Sequence, residues 1–355
     1  MKRKPGNSKG NQTAVCLIFF KSSLTAHYRV GRDLGAMEGD WVDTQLFTAI
    51  RGELSKAVVG QEEVLDLVLC AFLAGGHAIL EGVPGTAKTL TVKALARAVG
   101  CSFKRVQFTP DLMPSDVVGT NVFNFADSSF ALRRGPIFTD LLLADEINRA
   151  PAKTQSGLLE AMSERQATID GERLELSPVF SVFATQNPIE YEGTYPLPEA
   201  QLDRFLLKID IPLPDAESER NILLAAHAGR PADQDGLESV RTVVERDELL
   251  AKRRELPGVR MEDGIIDYLL RVSAALRRAD GVAVGPGPRG SLGLLAACKA
   301  RAALKGRDYV IPDDVAALAM PVLGHRVTLD AEAEIRGATA AEAVAAALAA
   351  VEVPR

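Results

Sequence analysis

GVPGTAKT, residues 82–89, decides the reading of this chain. It follows the pattern of a phosphate-binding loop, except that Ala87 stands where a second glycine usually sits. Gly82 and Gly85 permit backbone conformations that turn N–H groups inward toward a phosphate, and the loop runs into a helix N-terminus whose partial positive charge favours an anion. Val83, Pro84, Thr86 and Ala87 complete the cradle, and Leu90 follows it into the helix. Lys88 supplies a point charge toward the β- and γ-phosphates, and the Thr89 hydroxyl is a ligand type suited to Mg²⁺. The flanks agree with this reading. Residues 77–80 are a short apolar run, and residues 90–99 form an amphipathic stretch that stops at Gly100, so the order is strand, glycine loop, helix.

A nucleotide site also needs a carboxylate for the metal and a group to activate water. The apolar run at 137–144 is broken only by Thr139 and Asp140, as expected of a parallel strand buried on both faces. It ends in Asp145 and Glu146, 57 residues after Lys88. Asp145 is placed to hold Mg²⁺ through its water shell and Glu146 to polarise the attacking water as general base. Two acids after a strand can also be an ordinary helix start; following a phosphate loop, Glu146 favours hydrolysis over binding alone. Further strands are expected at 179–184 and 205–211, with helices between and before them, at 44–56 and 61–74. The second of these helices buries Val64, Leu65, Leu67, Val68 and Phe72 and stops at Gly75-Gly76. The fold class is α/β: a parallel sheet with helices on both faces, followed by a small all-α lid.

Composition narrows the alternatives. With 355 residues, two domains are expected. The 41 basic and 47 acidic residues give a net charge of −6, no electrostatic footprint for a dedicated nucleic-acid or anionic-membrane binder. No apolar run approaches the ~18 residues of a bilayer span, residues 14–20 being a short candidate, so membrane insertion is excluded. Cys16, Cys70, Cys101 and Cys298 are scattered, which suits a reducing cytoplasm. The first 36 residues hold seven Lys/Arg against one acid, Asp33; without them the balance is 34 to 46, a net of −12. That segment reads as a disordered tail or an upstream start, with Met37 opening the folded protein. A secretory signal is the weaker alternative, because the apolar stretch VCLIFF is short and late. The expected organisation is an N-terminal extension over 1–40, a nucleotide domain over 41–214, a helical lid over 215–335 and an Ala-rich helix over 336–355.

With these residues in place the chain resembles the AAA+ ATPases and, among them, the MoxR family, over about residues 44–330. Val59-Gly60-Gln61 looks like the family's adenine-side motif, with Gly60 and Gln61 as nucleotide contacts. The loop with Ala87 is the family's own variant, and ADEINRAP at 144–151 matches its metal-binding segment. ATQNP at 184–188 matches the first sensor, with Asn187 as the polar residue beside the water; read alone, an amide in a Gln-Asn-Pro turn is equally turn chemistry. LPEAQLDRF at 197–205 carries Arg204, which the resemblance makes an arginine finger reaching a neighbouring protomer. Without it, Arg204 could simply pair with Asp203. GPGPRG at 285–290 carries Arg289, by resemblance a second sensor from the lid, in its own protomer or the next.

Residues 106–136 are long, turn-rich and carry Phe108, Phe123, Phe125 and Phe130, and Asp170-Gly171 within 167–176 signals a hairpin. These resemble the helix-two insert and pre-sensor hairpin of that clade. Loops that merely pack are the plainer reading, set against a substrate-gripping role for Phe123 or Phe125. In the C-terminal part, 212–215 reads as a linker, 262–278, 290–305 and 312–323 as lid helices, and Thr339 with Glu342 as a capping box. The helix it opens packs on the lid or serves a contact with another chain. His325 reads as structural rather than as a ligand.

The resemblance implies a homo-oligomeric, hexameric ring that hydrolyses Mg²⁺-ATP and remodels or matures client proteins, including by metal or cofactor insertion, beside a partner with a von Willebrand factor A domain. Rival readings are a magnesium-chelatase-like or gas-vesicle-type motor subunit, a DNA-acting AAA+ regulator, and a nucleotide-gated scaffold without turnover. The ATQNP and LPEAQLDRF strings favour MoxR over the first group, and the acidic charge opposes DNA.

Overall fold

The computed structural model describes residues 44–354 except Asp127, 188–193 and 228–234. The expectations for residues 1–40 and for Pro188 lie outside the described residues.

The apolar runs of the sequence become the strands of one parallel sheet. In chain order the strands are β1 (Ala78–Glu81), β2 (Phe103–Gln107), β3 (Gly119–Asn124), β4 (Ser129–Arg134), β5 (Leu141–Asp145), β6 (Gln166–Ile169), β7 (Glu172–Glu175), β8 (Ser181–Gln186) and β9 (Leu207–Asp210). The sheet has the order β2-β5-β8-β1-β9, and β3 with β4 and β6 with β7 form separate antiparallel hairpins. Every pairing within the five-stranded sheet is parallel. The strand that carries the loop, β1, lies beside β8, and β8 lies beside β5, so the loop, the acids and the ATQ segment emerge at one edge of the sheet. That edge, beyond the carboxyl ends of parallel strands, is where open α/β sheets bind ligands.

Both faces of β5 are covered. Leu141 and Leu143 join the apolar cluster formed with α1 (Thr44–Ala57), α2 (Glu62–Leu73) and α3 (Lys88–Ala98), while Leu142 and Ala144 face the cluster that includes Leu158 and Met162 of α5 (Ala152–Glu164). The short helix α4 (Pro114–Val118) packs on α5. The first cluster continues without a break into the lid through Leu294, Ala297, Cys298, Leu318 and Val322. Lid and sheet therefore share one core, and Cys70 Sγ donates to Ala297 O across the join at 3.2 Å.

Two expectations change. The strand placed at 137–144 begins only at Leu141, because Asp140 is buried and its carboxylate accepts from Ser102 N at 2.8 Å, Ser102 Oγ at 2.6 Å and Ser177 Oγ. Burial pushes this carboxyl up, but the hydrogen bonds outweigh it and hold the group below its usual range. A side chain so clamped fixes a turn, not an extended run. The insert at 106–136 is more ordered than its turn-rich composition indicates: it contains α4 and the β3–β4 hairpin, whose tip exposes Phe125 and Phe130 edge-on around Phe123. The Asp170-Gly171 turn joins β6 to β7 with φ of 48° and 86°, both in the left-handed region such a two-residue turn needs.

The lid helices are Asp263–Leu276, Pro288–Leu304, Pro312–Leu323 and Ala340–Ala349. The last is opened by the expected capping box, with Thr339 N donating to Glu342 Oε2 at 2.8 Å, and Val344 and Ala347 are buried on the lid. Residues 215–260, the first part of the expected lid, hold helices Ala216–His227, Asp235–Ser239 and Arg246–Glu255; the second lies on α1, and Val243 N donates to Ala98 O at 2.8 Å. Among the described residues no helix is long and apolar enough to cross a membrane.

Candidate active site

The loop at 82–89 is built as its composition demands. Gly85 has φ of 85° and Ala87 sits at φ 58°, ψ 18°, so the position usually held by glycine keeps the left-handed conformation although it is alanine. A side chain on Gly82 would come within 2.7 Å of Ile211 O. Lys88 turns back over the loop, donating to Gly82 O at 2.8 Å, Val83 O at 2.7 Å and Thr86 Oγ1 at 3.3 Å. Burial pushes the Lys88 ammonium below its ordinary pKa, and the nearby Asp145 and Glu146 carboxylates act against that. Thr89 and Leu90 lie in the first turn of α3, partly buried.

Asp145 is buried at the end of β5, and its carboxylate accepts from Arg105 Nε at 3.0 Å, from Arg105 Nη2 and from the Thr185 hydroxyl. Glu146 follows with φ 55° and ψ 50°, a left-handed backbone that costs a non-glycine residue on the order of 1–2 kcal/mol. Its amide donates to Thr185 Oγ1 at 2.8 Å, and its Oε2 accepts from Gln107 Nε2 at 2.7 Å and Arg149 Nη1 at 3.0 Å. The strain is therefore held by a hydroxyl, an amide and a guanidinium that aim the carboxylate. Asn187 directly follows β8, whose Thr185 is in register with Leu80 of β1, on the edge between the loop and the acids.

Gly60 and Gln61 border the same segment as the loop. Gly60 has φ of 74° and a Cβ there would meet Ser218 Oγ at 2.0 Å, while Gly82 abuts Ile211, at the start of that segment. Gln61 is buried and its Oε1 has no hydrogen-bond partner. An orphaned buried acceptor of this kind suits the exocyclic amine of an adenine. Thr89 and Asp145 offer a hydroxyl and a carboxylate, the hard oxygen donors a magnesium ion takes together with phosphate oxygens and water. Among the described residues no three His, Cys, Asp or Glu side chains form a metal cage.

Arg204 and Arg289 stand apart from that group. Arg204 Nη1 donates to Leu159 O and Ser163 Oγ, each at 2.6 Å, near the end of α5. The alternative pairing of Arg204 with Asp203 does not form, since the two side chains leave the turn in different directions. Asp203 is taken by the lid instead: Arg326 Nε reaches its Oδ1 at 2.9 Å and Arg289 Nη1 its Oδ2 at 3.2 Å. Arg289 lies in the first turn of helix Pro288–Leu304. His325 has Nε2 3.1 Å from Phe205 O, and burial followed by the adjacent Arg326 pushes its pKa down to about 3, which fits a neutral structural imidazole.

Four residues around the acids escaped the sequence reading: Arg105 and Gln107 on β2, Thr185 on β8, and Arg149. No local pattern marks them: the register that sets Gln107 level with Asp145 and Arg105 level with Leu143 exists only once β2 lies beside β5.

Two family models match: the ATPase family associated with various cellular activities over residues 77–207, and an AAA lid domain over 274–347. Chaperone MoxR1 of Mycobacterium tuberculosis is 41% identical over 308 residues, covering 84% of this chain and 80% of that one. Protein MoxR of Methylorubrum extorquens is 33% identical, with 85% and 93% covered. YeaC of Bacillus subtilis is 45% identical over 301 residues, with 85% and 92% covered. The crystal structure of a candidate ATPase from Cytophaga hutchinsonii superposes with a TM-score of 0.80 at 37% identity, covering 88% of this chain and 96% of that one.

Proposed function

Since the chain belongs to the MoxR family of AAA+ ATPases, we propose that its ATP hydrolysis takes place at a site shared by neighbouring protomers of a homo-oligomeric ring, hexameric on the family pattern, and drives chaperone-like remodelling of protein clients. The loop at 82–89 would hold the phosphates, with Gly60 and Gln61 on the adenine side. Thr89 and Asp145 would hold Mg²⁺, which when bound neutralises charge on the phosphate oxygens. Glu146 orients and deprotonates the attacking water, Asn187 fixes that water beside the γ-phosphate, and Arg289 senses the phosphate from the lid. Arg204 of the next protomer stabilises the charge that develops during transfer.

The observation that carries this reading is the aimed carboxylate of Glu146, strained at φ 55° and held by Gln107 and Arg149, next to the electrostatic reach of Lys88. A Glu146→Gln variant keeps shape and hydrogen bonding but not the base. Phosphate release should fall by about 100-fold or more with nucleotide binding kept, because general-base catalysis is worth that much. Equal rates in the two proteins would end the assignment. A client role draws on the name of the M. tuberculosis relative, a chaperone, and on the exposed aromatic tip of the β3–β4 hairpin. A partner with a von Willebrand factor A domain and a cytoplasmic setting belong to the same reading, and a protein retained on the Glu146→Gln variant in ATP would identify the client.

A further inference from the structure

Arg326 is a buried cation whose partners are nearly all on one short segment. Its side chain is 3% exposed. Nη2 donates to Asp203 O at 3.3 Å and to Phe205 O at 2.6 Å, the two carbonyls on either side of Arg204. Nε donates to Asp203 Oδ1 at 2.9 Å, and Nη1 reaches Leu206 O at 3.4 Å and Val322 O of its own lid. The passage is built for it: Gly290, one residue after Arg289, has Arg326 Cδ 3.0 Å from where a Cβ would stand. Burial lowers the guanidinium pKa and Asp203 opposes this, so the charge is held by that one carboxylate and by carbonyl dipoles. A planar five-donor fork spread over one loop cannot follow the lid without taking the loop along.

We propose that Arg326, acting with Asp203, is a positioning residue that fixes Arg204 to the lid of its own protomer, so that the lid sets how Arg204 is presented to the neighbouring site. Asp203 is the shared element: Oδ1 belongs to the buried Arg326, and Oδ2 to the half-exposed Arg289. When Arg289 leaves Oδ2 for a γ-phosphate, Arg326 keeps its hold, and the Asp203 carboxylate loses one of its two lid partners. Arg204 then depends on its own bonds to Leu159 and Ser163 and, through the loop, on Arg326 and on His325 at Phe205 O. This rests on the shared-site reading above, and the test separates the two.

Two full-length variants that are each inactive, Lys88→Ala and Arg204→Ala, are mixed, so that activity returns only where an intact loop of one protomer meets an intact Arg204 of the other. Arg326→Lys is then added to one partner at a time. Placed in the Lys88→Ala protomer, which donates Arg204, it should lower the restored phosphate release by about ten-fold, the order expected when a charge-assisted network that sets catalytic geometry is broken. Placed in the Arg204→Ala protomer it should leave the restored rate within about two-fold. A loss of equal size from either side marks a merely structural residue and overturns the proposal, as does no loss from either side. If the parent pair restores nothing, the shared-site reading itself has failed and the proposal falls with it. Should Arg326→Lys not fold, Asp203→Asn, which keeps the shape and the carbonyl contacts, is run in the same two placements and is read by the same outcomes.

Discussion

Acid should weaken this fold through His77, and the size of the effect can be worked from its surroundings. The ring precedes β1, is buried, accepts from Val182 N through Nδ1 at 2.9 Å and has Nε2 3.3 Å from Met162 O. The first bond needs an unprotonated Nδ1, whereas the second, donated by Nε2–H to a carbonyl, forms in either state and by itself favours the charged ring. Burial, then the nearby Arg165, pushes its pKa down to about 3. The unfolded chain takes up this proton near pH 6.5, so between about 6.5 and 3 the unfolded state binds more protons and stability falls as pH drops. From pH 7 to pH 5 the loss from His77 alone is about 2 kcal/mol. Urea unfolding at the two pH values, wild type against His77→Gln, measures it. The variant should be less stable at pH 7 but lose about 2 kcal/mol less on acidification. Identical losses in the two proteins would refute the claim that His77 is held neutral by its buried site.

Three further outcomes are expected. Ala87→Gly removes the left-handed cost of about 1–2 kcal/mol and pays back about 0.4–1 kcal/mol through the freer unfolded chain, so thermal unfolding should show a small net gain, whereas Ala87→Val should lose stability. Gly60→Ala places a Cβ against Ser218 Oγ at positive φ and should destabilise by about 1–3 kcal/mol, with part of the loss recovered when Ser218→Gly is added, read by urea titration. Cys70, whose thiol burial pushes up to about 12, and Cys298, raised well above its ordinary value by burial, should resist Ellman's reagent in the native protein and react only on unfolding.

What the sequence disclosed depended on whether a residue acts through its neighbours in the chain or through distant ones. The loop, its flanking strand and helix, the paired acids and the capping box at Thr339 are short-range devices, and each was readable from spacing alone. Ala87 could be read as a departure from the pattern, but not that it keeps the left-handed backbone, which only the folded loop shows. Arg105, Gln107 and Thr185 were out of reach because their roles depend on which strands lie side by side, and β2 with its mixed polar residues shows no clean alternation. The alternative pairing of Asp203 with Arg204 fails for the same reason: adjacency along the chain suggests it, whereas the partners of Asp203 come from the lid, 86 and 123 residues away. The start of β5 was placed too early because Thr139 and Asp140 interrupt an otherwise apolar run without showing that Ser102 and Ser177 would capture the aspartate.

The most direct test of the shared site is steady-state phosphate release from the equimolar mixture of Lys88→Ala and Arg204→Ala protomers, compared with each alone. Each variant by itself should be nearly inactive, and random assembly should return about one quarter of the wild-type rate, since one junction in four joins an intact loop to an intact Arg204. Full activity in the Arg204→Ala protein alone, or a mixture no more active than its parts, would contradict the account.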